Sequence, residues 1–131
     1  MRNRVLIADD LDFVRDAIRV TLELGGFTVV GEAGDGLSAF TLVFELRPDF
    51  LILDYDMPKM DGGTTAELVR ATRPDVAIVA FSSVFDGRPW WADAHIRKDG
   101  VAGIVPVLEA LKPRRIMISD EDDAFVQLTL I

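Results

Sequence analysis

Phe50-Leu51-Ile52-Leu53-Asp54-Tyr55-Asp56-Met57-Pro58-Lys59-Met60-Asp61-Gly62 decides how this chain folds. Four apolar residues without polar alternation read as a strand covered on both faces, the signature of a parallel sheet. Asp54 closes that run at its carboxyl end, where open α/β sheets place their chemistry. Met57 to Gly62 then carries the proline, aspartate and glycine of a turn.

The same pattern repeats outward. Val5-Leu6-Ile7-Ala8 is a second apolar run, and it ends in Asp9-Asp10. Leu11 to Leu24 places Val14, Ala17, Ile18, Thr21 and Leu22 at helical spacing, and Gly25-Gly26 stops the helix. Phe27–Val30 reads as a strand. Leu37–Leu46 reads as a helix with Ala39, Phe40, Val43 and Phe44 inward, ended near Pro48. Thr64–Thr72 is a helix opened by Gly62-Gly63 and closed before Pro74, and Val76–Phe81 is a further apolar strand. Ala94–Arg97 reads as a short fifth strand. Val101–Leu111 reads as a helix whose Pro106 sits in the first turn or kinks it. Strand and helix alternating over short connections make right-handed βαβ units, so the expected fold is α/β with a doubly wound parallel sheet.

If the strands ending at Asp9-Asp10 and Asp54 are neighbours, three carboxylates meet at one sheet edge. Such a cluster repels itself and implies a bound cation or a functional proton. The bland reading is that Asp9-Asp10 caps the helix beginning near Leu11.

Composition narrows the function classes. The 131 residues are 50% hydrophobic, enough for one domain with a full core. The net charge is −8 and the pI about 4.5, so no nucleic acid is expected as a partner through a broad basic face. There is no cysteine, hence no disulfide, thiolate metal site or cysteine nucleophile. No apolar stretch approaches the roughly 20 residues of a membrane span, and the N-terminus lacks the apolar core of a signal peptide. A cytoplasmic protein without a membrane partner is the expectation.

Four fragments in order carry a resemblance: Val5 to Asp10, Leu51 to Gly62, the strand end Phe81-Ser82-Ser83, and Ala92 to Lys98. Each ends a predicted strand, and together they span most of residues 4–111. The chain resembles the receiver (CheY-like) domain of two-component response regulators. The resemblance implies a flavodoxin-like sheet of strand order 2-1-3-4-5 and a phosphoprotein acting in phosphorelay signal transduction. It implies Asp54 as the acceptor of a phosphoryl group from a histidine kinase or a histidine phosphotransfer protein. It implies Mg²⁺ held by Asp9, Asp10, Asp54 and the backbone carbonyl of Asp56. Ser82 and Lys98 match the residues that bind the phosphoryl group, Ser82 also as a switch. His95, the only histidine, aligns with the aromatic switch position.

The chain departs from the family between Ser82 and Lys98. Only fifteen residues intervene, among them Gly87 and Pro89, so a shortened or missing fourth helix is expected. Trp90 and Trp91 fall in this gap, and at least one is expected to fill the space of that helix. Ser83 is small, as access to the phosphoryl group requires.

The expected organisation is a receiver domain over 1–112 and an extension over 113–131. That tail is β-prone on both sides of Asp120-Glu121-Asp122-Asp123 and reads as a hairpin, with a final helix or loose extension as the other reading. It is too short for a DNA-binding module. A stand-alone receiver signalling through protein contacts to an unknown output protein is therefore expected, or else a fragment of a larger regulator, without enzymatic turnover beyond its own phosphoryl chemistry, and with a homodimer formed through the tail as a further hypothesis.

Two other functions compete. One is a phosphorylation-independent receiver-like scaffold, kept open by the lost helix. The other is a haloacid-dehalogenase-like phosphatase, suggested by Asp54-Tyr55-Asp56. That motif normally follows the first strand and continues with threonine or valine, whereas Met57-Pro58 follows here.

Overall fold

The computed structural model describes residues 2–83 and 87–111. Five strands form one sheet: β1 (Arg4–Ala8), β2 (Thr28–Ala33), β3 (Phe50–Leu53), β4 (Ala77–Phe81) and β5 (Ala94–Ile96). All pairings are parallel, and the order is β2-β1-β3-β4-β5. Among the described residues four α-helices flank it: α1 (Asp12–Leu24), α2 (Gly36–Leu46), α3 (Gly62–Thr72) and α4 (Ile104–Leu111). The sheet order and parallel sense are those expected. Among the described residues no helix is long and apolar enough to cross a membrane.

The uninterrupted apolar runs have a plain cause. Successive strand residues point to opposite faces, and both faces are covered. Leu6, Ala8, Leu51, Leu53, Ile78 and Ala80 join the core on the side of α2 and α3. Val5, Ile7, Phe50, Ile52, Val79 and Phe81 join the core on the side of α1 and α4.

Several boundaries differ from the sequence reading. Strand β2 runs on through Gly31-Glu32-Ala33, because β1 offers a partner for each of them across a register shift between Val5 and Leu6. Phe44 was expected inward but is exposed; its ring lies under the Arg73 guanidinium, 4.5 Å from the ring centre. The final helix starts later than Val101, after a 3₁₀ stretch over Lys98–Gly103. Pro106 falls in the first turn of α4, where no intrahelical N–H is needed.

No helix occurs among the described residues between β4 and β5. Instead the chain folds onto the sheet as a plug. Trp91 is only 4% exposed, joins the core with Ala92, and stacks on Tyr55 at 6.5 Å and 19°. Arg70 of α3 donates to the Trp91 carbonyl at 3.1 Å and pairs with Asp93 at 3.0 Å. Asp93 in turn bonds the Ile78 backbone on both sides, at 2.8 and 2.7 Å. Trp90, by contrast, is 76% exposed. The tail over 113–131, with its hairpin and homodimer readings, lies outside the described residues.

Candidate functional site

The carboxyl ends of β1 and β3 lie side by side, since Ala8 pairs with Leu53. Asp9 and Asp54 therefore emerge next to each other, and each is gripped by backbone. The Asp54 N–H donates to the Ala8 carbonyl at 2.9 Å, and the Asp9 N–H to the Ala33 carbonyl at 3.0 Å. Both carboxylates are almost wholly buried, whereas Asp10 is exposed. Carboxylate oxygens of Asp9, Asp10 and Asp54 all lie within 4.8 Å of one another.

Lys98 follows β5 and reaches into the cluster. Its Nζ lies 2.9 Å from Asp9 Oδ2 and 3.3 Å from Asp54 Oδ2. Asp9 Oδ2 makes no well-directed hydrogen bond, so charge rather than direction holds this pair. Burial works against the Lys98 ammonium, yet Asp9 and Asp54 outweigh it and raise its pKa above the usual lysine value.

Asp54 titrates unusually. Burial, then repulsion from Asp9, pushes its pKa up to about 6, against the pull of Lys98 and the Asp56 backbone N–H. A carboxylate this strained by its neighbours is stabilised by any added cation. Three clustered carboxylates supply the hard oxygen donors that Mg²⁺ takes, so the residues fit that ion.

The capping reading of the acidic pair is corrected. Leu11, not Asp9 or Asp10, is the N-cap of α1 and makes no side-chain cap bond. Asp9 Oδ1 instead accepts from the Leu11 N–H at 3.0 Å, closing the turn around the site.

The loop after Asp54 is clamped at close quarters. Asp61 caps α3 by accepting from the Thr64 N–H at 2.8 Å. Gly62 donates its N–H to the Tyr55 carbonyl at 2.8 Å. A Cβ at Gly62 would lie 2.4 Å from the Asp54 carbonyl oxygen and 2.7 Å from the Tyr55 Cα, both immobile backbone atoms. Gly62→Ala is therefore expected to destabilise the protein by about 1–3 kcal/mol through overpacking, measured by urea denaturation. A loss below a few tenths of a kcal/mol would count against the clamp.

Ser82 is buried at the end of β4 and donates its N–H to the Ile96 carbonyl at 3.2 Å. His95 lies half-buried on β5 opposite Ala80, with its Nε2 buried and unbonded. Asp56 sits exposed in the loop beyond Asp54. The sequence reading missed Arg70 and Asp93, which fasten the plug, and Arg15, which touches the Asp9 carbonyl. None has a local signal, because each acts on a residue brought near only by the fold.

A family model described as the response regulator receiver domain matches residues 5–89. The transcriptional regulatory protein PdtaR of Mycobacterium tuberculosis is 36% identical over 112 residues, covering 81% of this chain and 55% of PdtaR. A protein-glutamate methylesterase/protein-glutamine glutaminase of Alkalilimnicola ehrlichii is 37% identical over 95 residues, 72% of this chain and 24% of that protein. The chain thus spans about half and about a quarter of the length of these relatives. The signal receiver domain of the putative response regulator NarL of Mycobacterium tuberculosis superposes with a TM-score of 0.75 at 31% identity, covering 85% of this chain and 97% of that one.

Proposed function

The chain belongs to the response regulator receiver domain family, and on that premise we propose that it signals by accepting a phosphoryl group on Asp54 from a histidine kinase or a histidine phosphotransfer protein. The observation that carries this reading is the single ammonium of Lys98 set between the buried carboxylates of Asp9 and Asp54. That arrangement has a nucleophile, a counter-charge for the incoming group, and acidic oxygens for a cation.

In the proposed reaction an Asp54 carboxylate oxygen attacks phosphorus. The new O–P bond forms as the bond from phosphorus to the donor breaks, and its electron pair leaves with the donor. Asp54 must be ionised to attack, and without a cation its charged form becomes the main one only as pH rises through about 6. Asp9, Asp10, Asp54 and the Asp56 carbonyl would hold Mg²⁺, which offsets the repulsion between a phosphoryl donor and a carboxylate. Lys98 then turns from Asp54 to the new phosphoryl oxygens, and Ser82 stands at the neighbouring strand end to meet them. The new phosphoryl group carries roughly −1.5 to −2 of charge, by analogy with other phosphorylated side chains, in place of the single charge of the ionised carboxylate. His95, beside Ser82's strand, is proposed to change rotamer in response.

Incubation with acetyl phosphate and Mg²⁺ is expected to add the mass of one phosphoryl group to the intact protein, and EDTA is expected to prevent it. Unchanged mass with both Mg²⁺ and donor present would favour a second reading, a scaffold that signals by contacts alone. The plug in place of a helix is what keeps that reading in play. The phosphatase reading has no such support: Asp54 follows the third strand, and Met57-Pro58 stands where that motif continues differently. The output partner belongs to the same proposal.

A further inference from the structure

We infer that Arg15 is a positioning residue for the proposed Mg²⁺ site, acting through the backbone of Asp9. This rests on the phosphoryl-acceptor reading above. Arg15 lies on α1, one turn beyond the acidic pair, and its side chain is only 18% exposed. Its Nη1 donates to the Asp9 carbonyl at 2.6 Å. Its Nε pairs with Glu32 Oε1 on β2 at 3.1 Å, and its Nη2 pairs with Asp12. Glu32 is fixed from its other side by Arg19 at 2.5 Å.

The consequence is a residue 9 held at every polar atom. Its N–H is taken by Ala33, its carbonyl by Arg15, its Oδ1 by the Leu11 N–H and its Oδ2 by Lys98. The other three come from the end of β2, from the turn itself and from Lys98 beyond β5. The Arg15 grip is the one that ties the turn to both α1 and β2 through a rigid fork. Groups that orient a metal's ligands commonly matter by tenfold or more in affinity when removed.

Charge and position make opposite predictions here. A guanidinium near an acidic site repels Mg²⁺, so if Arg15 acted only by charge, deleting it would tighten binding. If it positions Asp9, deleting it weakens binding despite the lost repulsion. Arg15→Lys keeps the charge but loses the fork.

The test is calorimetric titration of Mg²⁺ into the full chain, with the wild type, Arg15→Met, Arg15→Lys and Glu32→Gln, alongside thermal unfolding in EDTA. Glu32→Gln loosens the fork without touching the Asp9 carbonyl, and it serves if Arg15→Met fails to fold. The expected result is about tenfold weaker Mg²⁺ binding for Arg15→Met, a smaller loss for Arg15→Lys and for Glu32→Gln, and the same rank in acetyl phosphate turnover onto Asp54. Unchanged or tighter Mg²⁺ binding in the folded variants, with a wild type that binds and is phosphorylated, would overturn the inference alone. A wild type that binds no Mg²⁺ would overturn the phosphoryl-acceptor reading and this inference with it.

Discussion

Asp54→Asn is expected to abolish phosphoryl incorporation and, in the same tube, to make the metal-free protein more stable at neutral pH. The first effect follows from losing the nucleophilic oxygen, since an amide cannot replace it. The second follows from the raised pKa. Asp54 ordinarily titrates at 3.8 and here at about 6, so the folded state holds its proton where the unfolded chain has released it. Stability from this group is therefore full below pH 3.8 and is lost as pH rises through about 6.

A shift of about two units corresponds to about 3 kcal/mol at pH 7, an upper bound because Lys98 loses one of its two partners in the variant. Calorimetric melting in EDTA should place Asp54→Asn several degrees above wild type at pH 7, with the gap closing as pH falls toward 4. A gap that is absent or independent of pH between 4 and 7 would mean that Asp54 is not strained as described. Labelling that survives in Asp54→Asn would remove it as the acceptor. With Mg²⁺ present the order should narrow or invert, because the cation stabilises only the charged site.

The largest purely structural effect is expected at Trp91. Its indole fills the space beside β4 where the family would place a helix, and it is buried against Tyr55. Trp91→Ala should cost about 3–5 kcal/mol, the range for deleting a buried aromatic side chain. Trp90→Ala, one residue earlier and largely exposed, should stay within about 0.5 kcal/mol. Urea denaturation of the pair measures the difference directly. Equal costs would show that the plug does not replace the helix as a packing element.

Much of this architecture was legible because the strands are short, apolar and capped by acids. The stretches ending at Asp9 and Asp54 announce a two-faced sheet, and a parallel sheet gathers strand ends at one edge. That is why Asp9, Asp10 and Asp54 could be grouped from the strand ends alone, although they are far apart in the chain, whereas Lys98 joined them only through the family resemblance. The end of β2 was hidden, because Gly31 and Glu32 look like loop residues and are held in the ladder only by β1. Phe44 misled because helical spacing records which face is apolar, not whether a neighbour covers it; the ring stays exposed, with the Arg73 guanidinium resting on it from α3's end. The clasp of Arg70 on Asp93 and of Arg15 on the Asp9 carbonyl left no pattern in the sequence, since long-range ion pairs have no period.

The plug also gives the protein a built-in optical reporter. Both tryptophans of the chain lie in it, and Trp91 stacks on Tyr55, the residue that follows Asp54. Replacing the exposed Trp90 by phenylalanine would leave one indole, stacked on Tyr55. Its emission would follow events at the acceptor without any attached dye.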